Sequence, residues 1–166
     1  MNLNLGNLVL DGKCHVMGIL NVTPDSFYDG GLHFDLEDTR KRVEGMISEG
    51  VEIIDVGGES TRPGSKSVTI EEELERVIPA IKIISEISDI PISIDTQKPE
   101  VAKKAIEAGA CVVNDIGGLR NNDMISAVAE MNVPVIIMHM QGTPENMQKN
   151  PQYGDVVEDI KEWLEE

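Results

Sequence analysis

Five short apolar runs punctuate the chain, and each stops at a polar residue. Met17-Gly18-Ile19-Leu20 ends at Asn21, Glu52-Ile53-Ile54 at Asp55, and Ile92-Ser93-Ile94 at Asp95. Cys111-Val112-Val113 ends at Asn114, and Val135-Ile136-Ile137-Met138 at His139. Runs of this length bounded by turn residues are the pattern of strands covered on both faces. Loops rich in Gly, Pro and small polar residues follow them, most clearly Thr23-Pro24-Asp25-Ser26 and Gly57 to Ser65. Asn21, Asp55, Asp95, Asn114 and His139 are therefore expected on one rim, at the carboxyl ends of parallel strands, where such sheets bind ligands.

Helical periodicity fills the intervals. Asp35 with Asp38 opens a first helix whose inward stripe is Leu36, Val43, Met46 and Ile47, and Gly50 closes it. Thr69 with Glu72 reads as a capping box for a second, carrying Ile70, Leu74, Val77, Ile78, Ile81 and Ile84. Pro79 lies inside that stripe, and an interior proline costs about 3 kcal/mol, so a kink or break is expected there. Lys98-Pro99 starts a third helix (Val101, Ala102, Ala105, Ile106) that stops at Gly109, and a fourth spans roughly Asp123 to Met131. Val156, Ile160, Trp163 and Leu164 form the stripe of a last helix that ends in Glu165-Glu166 with no cap signal. Ahead of all these, residues 3 to 16 alternate enough to predict a hairpin turning at Asp11-Gly12 and plugging one end of the sheet.

Strand and helix alternate with short connections, which makes a parallel sheet of βαβ units the expected fold: α/β, of the (β/α)8 barrel type. A complete barrel takes roughly 250 residues, and 166 residues supply about five strands and the helix after them. The expectation is a single domain truncated at that point. An open sheet of that kind is expected to self-associate through its free edge and uncovered apolar face.

Charge narrows the partners. Fourteen basic residues against thirty acidic ones give a net charge of -16, which argues against nucleic acid and anionic membranes, both bound mainly through Lys and Arg. No apolar run approaches the roughly 20 residues of a membrane span, and the N-terminus lacks the pattern of a signal peptide, so the expectation is a cytoplasmic protein. Cys14 and Cys111 show no metal spacing and read as free, buried thiols.

Asn21-Val22-Thr23-Pro24-Asp25-Ser26-Phe27 and Gly57-Gly58-Glu59-Ser60-Thr61-Arg62-Pro63-Gly64-Ser65 closely resemble the two signature segments of the dihydropteroate synthases. Ser93-Ile94-Asp95-Thr96, Val113-Asn114-Asp115 and Met138-His139-Met140-Gln141-Gly142 match that family in the same order. The resemblance implies a barrel enzyme of folate synthesis, a sulfonamide target, that joins a dihydropterin pyrophosphate to p-aminobenzoate and releases pyrophosphate. It implies that Asn21 holds a Mg²⁺ ion bridging to the leaving group, that Asp95 and Asn114 read the pterin ring, and that Thr61 contacts the pterin substrate. Arg62, Pro63 and Ser65 would lie in a mobile loop covering the aminobenzoate, beside Phe27, with Arg62 among the catalytic cations. The family's later half adds a further pterin-binding aspartate, a Ser-Arg-Lys segment and an Arg-x-His segment, none of which occurs here. Arg62, Lys66 and Arg120 are the few rim cations, so the chain alone is expected to read the pterin and to turn over poorly.

Blander readings stand beside these. Asp55 is as well explained by satisfaction from backbone amides, and His139 reads better as structural than as a ligand. Gly57-Gly58 and Gly117-Gly118 match no dinucleotide fingerprint and could serve only to permit positive φ. Two other function classes remain: a methyltetrahydrofolate:corrinoid methyltransferase, against which Thr61 to Gly64 argues, and a non-catalytic or self-associating fragment.

Overall fold

The computed structural model describes residues 3–23, 36–60, 67–143 and 146–165. Asp35, Phe27, Thr61, Arg62, Pro63, Ser65 and Lys66 lie outside the described residues. The chain opens with a hairpin, β1 (Leu3–Leu5) and β2 (Leu8–Leu10). Its turn is at Gly6-Asn7, not at Asp11-Gly12 as the sequence suggested; Gly6 takes the positive φ of 59° that the turn needs.

Five parallel strands follow: β3 (Met17–Asn21), β4 (Ile53–Gly57), β5 (Ile92–Asp95), β6 (Val112–Asp115) and β7 (Val135–Ile137). They pair in sequence order, β3 to β7, so β3 and β7 are the edges of this sheet. Helices α1 (Leu36–Ser48), α2 (Ile70–Ile87), α3 (Pro99–Ala108) and α4 (Asn122–Met131) fill the crossovers, each packing on the next, and α5 (Val156–Glu165) ends the described chain. This is the consecutive order in which a (β/α) barrel lays down its strands.

Two apolar clusters follow from the period-2 alternation of the strands. Leu20, Ile54, Val56, Ile92, Ile94 and Val113 point to the helices and meet Val43, Val77, Ile81, Ile84, Val101 and Met124 in the main core. On the opposite face, Ile53 and Val112 meet Leu5, with Leu8, Leu10, Met17 and Ile136 packed around them. Those strand residues sit near the amino ends, so the hairpin closes that end of the sheet, as expected, and leaves the carboxyl end of the same face to polar residues.

Several local expectations change. Leu36 is 51% exposed, so the stripe of α1 begins at Thr39 and runs through Val43 and Met46. Helix α2 runs through Pro79 unbroken for 18 residues, held by Val77, Ala80, Ile81, Ile83 and Ile84 in the core and opened by the Thr69–Glu72 capping box. Burial of five apolar side chains outweighs one lost backbone bond. Cys14 is exposed and Cys111 only half-buried, so the two free thiols are not both interior. Helix α5 buries no residue fully, and Val156, Val157 and Leu164 stay half exposed.

Candidate functional site

Strand register assembles the site. Asn21 pairs with Gly57, Gly57 with Asp95, and Asp95 with Asn114, so one row crosses four strands at their carboxyl ends. A parallel row beneath it contains Ile19, Asp55, Ser93 and Val112. Both rows lie on the face away from the helices; amides, carboxyls and a hydroxyl occupy the upper row and the middle of the lower one (Asp55, Ser93), with Ile19 and Val112 at the lower row's ends. Gly57 lets the row close up: a Cβ there would come within 3.3 Å of Asn21 Oδ1 and 3.6 Å of Asp95 Oδ2.

Asn114 Nδ2 donates to Asp55 Oδ2 at 3.1 Å. Asp55 is 5% exposed, and its Oδ1, like Ser93 Oγ next to it, is buried without a hydrogen-bond partner among the described residues. Among the described residues no backbone amide donates to the Asp55 carboxylate; the donor to its Oδ2 is the Asn114 side chain, from the next-but-one strand. Burial raises the Asp55 carboxyl above its usual range, opposed by the polar neighbours Ser93 and Asn114. Burial likewise pushes Asp95 up to about 7, and the negative charges of Asp55, Glu73, Asp115 and Glu59 push the same way. Near neutral pH this carboxyl can therefore accept from paired N–H donors or, protonated, donate once. The half-buried Asp95 and Asn114 suit a flat heterocycle with alternating donors and acceptors, because a polar group that a ligand covers without pairing costs about 1–3 kcal/mol.

The sequence reading missed a second cluster behind this row. Lys98 Nζ donates to Glu73 Oε2 at 2.5 Å and pairs with Glu59 as well. Burial pulls the Lys98 ammonium down, but Glu59 and Glu73 outweigh it and hold its pKa above the ordinary value. A signal was available: Glu73 falls three residues after Ile70 and four before Val77, on the apolar stripe of α2, and it is 1% exposed. Gly58 serves close approach here and does not take a positive φ, since a Cβ would fall 2.7 Å from Val77 and 2.9 Å from Glu73. Gly118 does take one, at 67°.

His139 lies just past β7 and packs edge-on against Trp163 at 5.0 Å, with Tyr153 at 5.8 Å. Arg120 stands 4.9 Å over the same indole. The structural reading of His139 fits this packing, and Arg120 is engaged with the ring. Among the described residues no group of three His, Cys, Asp or Glu could hold a metal ion, and no helix is long and apolar enough to cross a membrane.

Comparison with known proteins gives consistent findings. A family model described as "Pterin binding enzyme" matches residues 17–166. The dihydropteroate synthase of Escherichia coli (strain K12) is 51% identical over 150 residues, covering 90% of this chain and 53% of that protein. That of Streptococcus pyogenes is 46% identical over 163 residues, covering 98% and 59%. The chain thus spans little more than half the length of these relatives. A crystal structure of the Yersinia pestis dihydropteroate synthase with a sulfonamide drug superposes with a TM-score of 0.87 at 44% identity, over 99% of this chain and 60% of that one. The Burkholderia cenocepacia enzyme complexed with 7,8-dihydropteroate gives 0.83 at 43%, over 99% and 55%.

Proposed function

The chain belongs to the pterin binding enzyme family, with dihydropteroate synthases among its relatives, and from that premise we propose that its carboxyl-end face is the pterin-reading part of a dihydropteroate synthase. The reaction of the whole enzyme would join a dihydropterin pyrophosphate to p-aminobenzoate. The single observation that carries the reading is the row Asn21–Gly57–Asp95–Asn114 on one face of the sheet. In this reading the ionised Asp95 accepts from the ring's amino and amide N–H groups, while Asn114, oriented by Asp55, supplies an amide edge beside it. The identity of the relatives named above favours the synthase over the corrinoid methyltransferase reading.

Asn21 would offer one amide oxygen to Mg²⁺, an ion that takes most of its ligands from substrate phosphates and water. A single neutral donor fits that habit, and such an ion would supply charge neutralisation at the leaving pyrophosphate. The protein's own part is to hold the ring so that the amine meets the reacting carbon in line. Thr61, Arg62, Pro63, Ser65 and Phe27 lie outside the described residues; in this reading they would contact or cover the substrates, as the family resemblance implies. Because Arg120 is turned to Trp163, the described rim offers pyrophosphate little, and this chain alone is expected to bind the ring better than it turns over.

Calorimetric titration of pterin into the chain, with adenine as a control heterocycle, tests the proposal. Saturable pterin binding with none by adenine is the expected result. No pterin binding, or equal binding of both, would refute it.

A further inference from the structure

The ion cluster behind the row has a geometry that the pterin reading does not use. Three separate segments converge on Lys98: Glu59 from the stretch after β4, Glu73 from α2, and Lys98 itself, which precedes α3 and whose backbone N–H donates to Thr96 Oγ1 at 3.2 Å. Arg76 of α2 reinforces the link by donating to the Gly58 carbonyl oxygen at 2.8 Å. Between this cluster and the row lies a cavity of about 10 Å³ lined by Glu59, Glu73, Asp95, Thr96, Gln97 and Ile116. That is room for a single water, and the lining is polar enough to hold one. Glu73, 1% exposed, lines it, and its Oε1 is buried without a hydrogen-bond partner among the described residues.

We propose that Lys98 is a positioning residue: by gripping Glu59 and Glu73 together it fixes the segment after β4 against α2 and closes a one-water site between Glu73 and Asp95. Glu59 and Ser60 follow β4 directly, so the clamp acts on the stretch at the carboxyl end of that strand. The water completes the buried Glu73 carboxylate and carries its hydrogen bonding to the back of Asp95. Its bearing on pterin affinity, and only that part, rests on the function proposed above.

Lys98→Met and Lys98→Arg in the whole chain test this, with backbone ¹⁵N order parameters, water-to-amide cross-peaks and pterin titration as readouts. In the wild type the Glu59 and Ser60 amides are expected near the rigid value of about 0.85, with a bound-water cross-peak to Thr96 or Gln97. In Lys98→Met the order parameters of 59 and 60 should fall below about 0.6 and the cross-peak should vanish, while Ile83 and Ile84 stay rigid. Pterin affinity should drop about tenfold, the loss of roughly one hydrogen bond to a charged group. Lys98→Arg keeps the charge and should restore all three readouts.

If Lys98→Met does not fold, Glu59→Gln breaks the clamp at its more exposed end and carries the same expectations. Unchanged order at 59 and 60, loosening spread equally to Ile83 and Ile84, or no bound water in the wild type overturns the inference. So does full pterin affinity in a variant whose segment has loosened. A wild type that binds no pterin refutes the proposed function instead, and the order parameters and cross-peak then decide the clamp by themselves.

Discussion

Asp95→Asn isolates the electrostatic cost of the candidate site. Burial and the charges of Asp55, Glu73, Asp115 and Glu59 raise this carboxyl from 3.8 to about 7 in the folded chain. A raised folded value means that the folded state binds the proton more tightly than the unfolded one. The associated stability is fully present below pH 3.8 and is lost as pH rises through about 7. With those two values, linkage gives a loss of about 2–3 kcal/mol between pH 5 and pH 8. Asparagine keeps the shape and cannot ionise, so Asp95→Asn should escape that loss, while shared groups such as Asp55 still titrate in both proteins. Urea unfolding at the two pH values reads the difference directly: at a slope of about 1–3 kcal/mol/M, the wild-type midpoint should fall by roughly 1–3 M more than that of Asp95→Asn. Curves that move in parallel would mean that Asp95 titrates as an ordinary surface carboxylate, and the charge crowding at the row would be refuted.

Asn114→Ala should lower stability by about 1–3 kcal/mol, because Asp55 Oδ2 loses its donor while Oδ1 already lacks one; an unchanged thermal midpoint would contradict this. Gly58→Ala should cost a further 1–3 kcal/mol, roughly the penalty of overpacking, since the new methyl meets Val77 and Glu73 below 3.0 Å; denaturant unfolding checks it. The 166-residue chain by itself is expected to self-associate: among the described residues Ile19 is 63% exposed in mid-strand, Ile137 is 37% exposed, and β3 and β7 are the outer strands of the sheet. Light scattering at tens of micromolar should show dimers or larger species, and a compact monomer would remove the idea.

Much of this architecture was legible because local signals agreed with one another. The five runs, the Thr69–Glu72 box, Pro99 at the first turn of α3 and Gly109 at its end, with φ 124°, each name an element boundary from chemistry confined to a few residues. The row of Asn21, Asp95 and Asn114 was readable for the same reason, as polar residues at strand ends. What escaped depended on partners far along the chain. Asp11-Gly12 is as good a turn pair as Gly6-Asn7, and only the packing of Leu5 on Ile53 and Val112 selects the latter. Pro79 breaks isolated helices, but the core around Val77 and Ile81 overrides it. Lys98 reads as a solvated charge before a proline; its two carboxylate partners lie 39 and 25 residues away. Ser93 needed only the period-2 step from Asp95 to be placed on the same face.

The claim that the strand-end row reads a pterin is tested most directly by titrating pterin into the wild type, Asp95→Ala and Asn114→Ala side by side. Hydrogen bonds to a charged group contribute about 1.5–3 kcal/mol, so Asp95→Ala should weaken binding at least tenfold. Asn114→Ala should weaken it too, by less. Equal affinity in all three proteins, at a pH where each is folded by circular dichroism, would contradict the account.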